Sequence, residues 1–458
     1  MKTMKFLSLA ALALTIAACS NDENEVIQQQ AGQPIDGEIT ITATITKDDD
    51  MTRALSVSGD DIATTWTVGE KVAILFEYKS AKTVREAEVK SVTGGNAYIQ
   101  FTIPADLTDS QTATLVYPAT AVNATKDGAD VATALATQDG SITNCPEVRT
   151  GTGTLYASLK TMNVDGFLGA QNAIFKFTVQ DLSSTNKTAT EFKVSDASGN
   201  VLTTVTASPA SGALYVALPV MASGTYWFNA TIGGKPYIAK ATLSSVTAAG
   251  KYYQSTVKMA TVGDVILADG KFAAPSSTGS KVAMIAYLGS ETDATYNHGL
   301  ALALTDANNG NAAAWCSQTA ATCLTKRYSA LDTADDMAGI ANTDALVGHA
   351  EHTHAAASAA RNYKYADTAE AGAHPTGTSA WFLPSTGQWV KMIAATGGNT
   401  ALRDGFSGVG GTNMQAAYYW SSTEYNANSA WLYNLPYDNF SSEDKYGTVS
   451  YVRACLAF

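Results

Sequence analysis

Charge is scarce in this sequence. Only 15 % of its 458 residues are Asp, Glu, Lys or Arg, and the acidic ones predominate, leaving a formal net charge of −12. No cluster of basic residues occurs anywhere, which removes the electrostatic footprint of a nucleic-acid partner. Acidity also sets the surface against anionic lipid headgroups. Long apolar runs are missing too: past the first residues nothing approaches the roughly 18 consecutive apolar positions of a membrane-spanning helix. Cysteine is sparse, five residues in all, and none shows the paired short spacing of a zinc finger. What is present in quantity is apolar residues, 46 % of the chain, diluted by Thr, Ala, Ser and Gly. Such a composition suits extracellular β-structure, and the length calls for more than one hydrophobic core.

The one apolar run lies at the start. Lys2 and Lys5 precede an uncharged stretch over residues 6–18 that ends in Ile16-Ala17-Ala18, directly before Cys19. A charged start, a short apolar centre and small residues at the end describe a secretory signal, too short to span a membrane. Cysteine at the cut resembles the lipobox of bacterial lipoproteins. That resemblance implies acylation of Cys19 and anchoring in the outer membrane; with no other apolar run long enough to span, the lipid is the expected sole membrane attachment. Each buried CH₂ contributes about 0.8 kcal/mol, so several acyl chains hold firmly. The following Ser20-Asn21-Asp22-Glu23-Asn24-Glu25 resembles acidic tags that send such proteins to the cell exterior.

With Cys19 acylated, Cys145, Cys316, Cys323 and Cys455 remain. Export into an oxidising compartment allows one or two disulfides, with connectivity not readable from spacing. Cys316 and Cys323 stand seven apart on a predicted helix, about 10 Å from each other and too far for a direct bridge. A link from one of them to Cys455 is favoured over that.

Beyond a polar tether at residues 19–37, the pattern turns to β. Ile39, Ile41, Ala43 and Ile45 alternate with Thr40, Thr42, Thr44 and Thr46, predicting a strand with one apolar and one hydroxyl face. Further strands are predicted as far as residue 259, punctuated by Gly, Asp, Asn and Pro as in β-sandwiches. From about residue 312 to 373 the sequence is Ala-rich and favours helix. A short amphipathic segment follows at 386–395, then a Gly-rich loop and aromatic strands. The expected organisation is a signal peptide (1–18), a tether (19–37), two tandem β-sandwiches (38–168 and 169–262, with a seam near 165–171) and an α+β unit (263–458).

Patterns of catalytic or metal-binding residues are largely absent. His349 and His352 would share a helical face, yet the run around Glu351 matches no zinc-protease pattern and offers no further ligand. Gly405-Phe406-Ser407-Gly408 is not a nucleophile elbow, and the nearby glycines follow no βα context that would cradle phosphate. Carboxylates are scattered and unpaired. The sequence reads as a non-enzyme with no cofactor and no metal. Among the aromatic residues, Trp381, Trp389 and Trp420 read as core. Tyr425, Tyr433, Tyr437 and Phe440, interleaved with Asn426, Asn428, Asn434, Asp438 and Asn439, read as an exposed recognition loop, and Tyr425, Trp431, Tyr433, Tyr437 and Asp438 are the candidate ligand-binding residues.

Several ordered pieces carry a resemblance. They are Thr52-Arg53-Ala54, Trp66 with Gly69-Glu70-Lys71-Val72, Val116-Tyr117-Pro118, Asn172-Ala173-Ile174-Phe175-Lys176-Phe177 and Ala249-Gly250-Lys251-Tyr252-Tyr253. Over roughly residues 38–260 the chain resembles the fimbrillin family, the subunits of type V pili, whose domains are transthyretin-like β-sandwiches. Trp381-Phe382-Leu383-Pro384-Ser385, Gln388-Trp389, Tyr419-Trp420-Ser421-Ser422-Thr423-Glu424, Ala430-Trp431 and Val452-Arg453-Ala454-Cys455 resemble C-type-lectin-like modules. The Glu-Pro-Asn and Trp-Asn-Asp triplets of calcium-dependent lectins are absent. The fimbrillin resemblance implies cleavage after Arg53, leaving Ala54 first, loss of strand 38–46, and its replacement by a strand from another pilin subunit. The lectin-like resemblance implies a glycan or protein ligand. Asp332-Thr333-Ala334 and Asp367-Thr368-Ala369 resemble short O-glycosylation signals.

Overall fold

The computed structural model describes residues 37–46, 56–58, 61–63, 65–206, 212–289, 295–319, 321–329 and 335–458. Cys19, Arg53, Ala54 and Thr333 lie outside these described residues. The chain is built mostly of β-strands, with a few short helices.

The first strand, Glu38–Ile45, buries Ile41, Ala43 and Ile45 on one face and leaves Thr40, Thr42 and Thr44 at least partly exposed on the other. From it the ladder runs through Asn96–Pro104, Ala81–Thr93, Lys71–Tyr78, Gln111–Tyr117 and Arg149–Tyr156 to Thr161–Val164, which returns to the first strand. The two layers of this part are therefore joined into a closed ladder. Lys71–Tyr78 carries an unbroken apolar run because both of its faces are buried. Val72, Ile74 and Phe76 fill the interior of the ladder. Ala73 and Leu75 face outward into a second core shared with Leu135, Cys145, Val148, Ile174, Tyr215 and Ala217.

Next along the chain, a three-stranded sheet (Ala213–Pro219, Asn172–Asp181, Tyr252–Met259) packs on a five-stranded one. Phe177 sits between them, with ring centroids 5.5 Å from Phe192 and 5.6 Å from Phe228. One edge of the five-stranded sheet, Thr137–Gln138, is lent by the connection between two strands of the closed ladder. The buried Gln138 side chain imitates a backbone there: Nε2 donates to Ala217 O at 2.7 Å and Oε1 accepts from Ala217 N at 2.8 Å.

The remaining residues form an α+β assembly. Its five-stranded sheet places Lys281–Leu288 and Gly299–Ala303 centrally, almost wholly buried, with Cys455–Ala457 along one edge. Helices Gly339–Val347, Ala355–Arg361, Thr386–Thr396 and Asn399–Asp404 surround it together with a three-stranded meander, Tyr418–Glu424, Ser429–Asn434 and Asn439–Asp444. Helix Thr386–Thr396 starts where Gln388 Oε1 accepts from Ser385 N at 3.0 Å and stops at Gly397, whose φ is +93°.

The Ala-rich stretch corrects an expectation. Instead of one helical region from 312, the described residues hold α-helices at 339–347 and 355–361, and those around Cys316 and Cys323 are irregular. Their backbone bonds go to distant partners: Cys316 N donates to Lys445 O at 3.0 Å and Ser317 N to Thr353 O at 2.8 Å. Tertiary partners here outweigh alanine's helical preference. Among the described residues, no helix is long and apolar enough to cross a membrane.

Candidate functional site

Three features hold the residues that the sequence singles out or overlooks. The first is the opening strand. Its antiparallel pairing with Asn96–Pro104 is continuous over eight residue pairs, from Glu38↔Pro104 to Ile45↔Ala97. Its other edge meets Thr161–Val164 in parallel at only Thr42↔Thr161 and Ala43↔Met162. Glu38 adds a partly buried ion pair with Arg85, 3.1 Å. The strand is thus held firmly on one side and loosely on the other, with its isoleucine row supplying part of the core.

The second feature is the tip of the hairpin between Ser429–Asn434 and Asn439–Asp444. Of the five residues expected to face a ligand, two are core. Trp431 is buried, its Nε1 donating to Tyr328 O at 2.7 Å. Tyr433 is buried, stacked on Trp389 at 6.0 Å, and its hydroxyl donates to Asp438. Burial and the Asp438 carboxylate push the Tyr433 phenol well above its usual pKa. These two residues alternate inward along a strand whose other face is also covered, which corrects the expectation that they are exposed. Tyr425 is half-buried, edge-on to Trp431 at 5.1 Å. Tyr437, 75 % exposed, and Asp438 remain at the surface. Tyr418, opposite Asn434 in the ladder and 43 % exposed, stands at the same end.

The motif residues of this α+β assembly hold the fold. Trp420 Nε1 donates to Ala313 O and Trp315 Nε1 to Ser421 O, each at 2.8 Å. Arg453, fully buried, pairs with Asp306 at 3.0 Å, donates to Ala303 O and Thr412 O, and lies over the Phe406 ring. Trp381, Trp389 and Trp420 are fully buried, as their sequence reading has it.

The third feature was not anticipated. Cys316 and Cys323 are not two helical turns apart: their sulfurs and a ring nitrogen of His354 all lie within 4.8 Å of one another. Cys455 is buried in another core and is free, as are Cys145, Cys316 and Cys323. His349 and His352 stack at 4.9 Å in the turn before helix Ala355–Arg361, not on a helical face. Burial pushes the Cys323 thiol up to about 12 and His354 down to about 4. Glu424 accepts from Cys323 N at 3.0 Å and Leu324 N at 2.8 Å and is neutralised by the buried Lys445. The available signal was His354 joined to two of the few cysteines, obscured by the assumed helix.

No family model and no curated protein matches the sequence. Among solved structures, a fimbrial protein from Bacteroides ovatus is 15 % identical, with 92 % of this chain and 99 % of that chain covered, at a TM-score of 0.33. A fimbrial assembly protein from Parabacteroides distasonis is 11 % identical over 48 % of this chain and 90 % of that one, TM-score 0.28. The major pilin subunit of Bacillus cereus is 12 % identical over 49 % and 60 %, TM-score 0.16. Overlap at such TM-scores is loose, and carries neither family membership nor function to this chain.

Proposed function

We propose that this chain is a surface pilus subunit of the fimbrillin type, exported as a lipoprotein through Cys19 and cut after Arg53. In this reading Glu38–Ile45 leaves, and a strand from another subunit takes its place. The observation that carries the reading is the geometry of that strand. It sits inside the ladder with neighbours on both sides, buries a row of isoleucines, and is joined to the rest of the chain through residues 47–55, which contain Arg53.

Magnitudes favour replacement over vacancy. Burying three isoleucines and an alanine is worth about 5–9 kcal/mol, comparable with the whole stability of a domain at about 5–15 kcal/mol. Departure would also expose two unpaired strand edges. Docking of a foreign strand beside Asn96–Pro104 is β-augmentation, with backbone bonds giving affinity and alternate side-chain pockets giving selectivity.

Segment 451–458 is committed elsewhere: Cys455–Ala457 pairs with Gly299–Ala303, and Phe458 is buried. A segment so engaged is not free to complete a neighbour. The chain then accepts a strand without lending this one, which fits a tip position, with Tyr437, Asp438 and Tyr418 presented to a glycan or protein ligand as an adhesive head.

The N-terminus of the cell-surface form tests this reading. Ala54 supports assembly. Acylated Cys19 on all surface molecules would instead establish the second reading, a permanently anchored outer-membrane binder, which the sound seating of the first strand also fits.

A further inference from the structure

Cys316, Cys323 and His354 come from two separate stretches of irregular chain, yet their ligand atoms converge to within 4.8 Å inside a core. All three are buried, His354 at 1 % exposure. His354 Nδ1 lies 3.2 Å from Trp315 O. A carbonyl can only accept, so Nδ1 carries the ring proton and Nε2 holds a lone pair. That Nε2 is buried with no hydrogen-bond partner. An imidazole whose far nitrogen is fixed by a backbone carbonyl is how metal-ligating histidines are oriented.

We propose that Cys316, Cys323 and His354 bind a divalent ion of borderline softness, Zn²⁺ being the natural choice for two thiolates and an imidazole. A tetrahedral zinc with ordinary bond lengths holds such atoms about 3.5–3.8 Å apart, so small side-chain rotations close the site. Charge balances as well. The ion displaces a proton from each thiol to solvent, and two thiolates with one divalent cation and a neutral imidazole leave no net charge in the core. The neighbouring Lys445–Glu424 pair is already neutral and holds the Cys323 turn through Glu424. A disulfide between the two cysteines would leave His354 Nε2 buried and unpartnered. Three protein ligands leave a fourth position for water or His349, whose ring centroid is 5.5 Å from that of His354. The site would clip the irregular stretch around 316–323 to the turn before helix Ala355–Arg361.

The test is titration of the full chain, purified under reducing conditions, with Co²⁺ and then Zn²⁺. One Co²⁺ per chain with thiolate-to-cobalt charge-transfer absorption, bleached by Zn²⁺, is the expected result. Cys316→Ser, Cys323→Ser and His354→Gln each weaken Zn²⁺ binding by on the order of 100-fold or more. Because these variants can misfold, the wild-type melting temperature is followed as well, and it rises on adding Zn²⁺ and falls with chelator. Absence of charge-transfer absorption in the wild type overturns the proposal. So does a Cys316–Cys323 disulfide in protein isolated from cells without reductant.

Discussion

Tyr433 and Tyr437 stand four residues apart at one hairpin and do opposite work. Tyr433 is packed against Trp389 and Phe440 and tied to Asp438, whereas Tyr437 projects from the turn. Tyr433→Ala is expected to cost about 3–5 kcal/mol, the scale of large aromatic truncations in cores, read by chemical denaturation. Tyr437→Ala should leave stability within about 0.5 kcal/mol and abolish retention on a ligand array if the tip is adhesive. The sequence supplied the aromatic stock but not its division, since both faces of Ser429–Asn434 are covered and alternation alone cannot say which residue escapes. Lys445 is a sharper case. It is fully buried beside Glu424, so Lys445→Met strands a carboxylate and should cost about 3–5 kcal/mol. His298, stacked on Trp227 at 3.7 Å, is pushed down to about 4 by burial, with help from Lys240. Unfolded, it titrates near 6.5. The folded state therefore binds fewer protons between these values, and stability falls as pH drops from about 6.5 to 4. Asp264, raised by burial to about 6, opposes this over part of the range. Comparison with His298→Gln isolates the effect: the variant should lose less melting temperature over that interval than the wild type.

Strands whose faces differ in burial were legible, and elements fixed from a distance were not. Glu38–Ile45 announces itself because isoleucine and threonine alternate, and the structure buries that row. Thr386–Thr396 was legible from its amphipathic spacing, whereas its capping residues emerge only in the structure. The sequence from 312 misleads because alanine favours helix, while the backbone around Cys316, Ser317 and Cys323 is bonded to Lys445, Thr353 and Glu424, far away in sequence. Loss of the supposed helix is also what brings Cys316 and Cys323 together. At this scale the proposed exchange predicts that a chain beginning at Ala54 will be aggregation-prone or strand-seeking. Adding a peptide of residues 38–46 should restore a soluble monomer with a cooperative melt. A stable monomer without peptide would sink the exchange.

At the scale of the molecule, the closed ladder, the two packed sheets and the α+β assembly are stitched to one another at both junctions. Thr137–Gln138 crosses the first junction, while Trp227 and Ile238 share a core with Trp315 and Trp381 at the second. Composition foretold several cores and a β-rich chain, but not the stitching, part of which is one two-residue strand inside a long connection. In the proposed pilus, labelled antibody against this chain should decorate filament ends; regular spacing along the shaft would refute the tip position.

Gln138 gives that stitching a mechanical meaning. In the proposed pilus, a body attached by its far end to a ligand and by its near end to a shaft would be stretched whenever fluid moves past. Because one part's connection is hydrogen-bonded into its neighbour's sheet through Gln138 and Ala217, the load cannot peel the two apart as beads on a string. Pulled by an atomic-force tip, residues 38–260 should yield in a single rupture, and Gln138→Ala should split that rupture into two weaker ones.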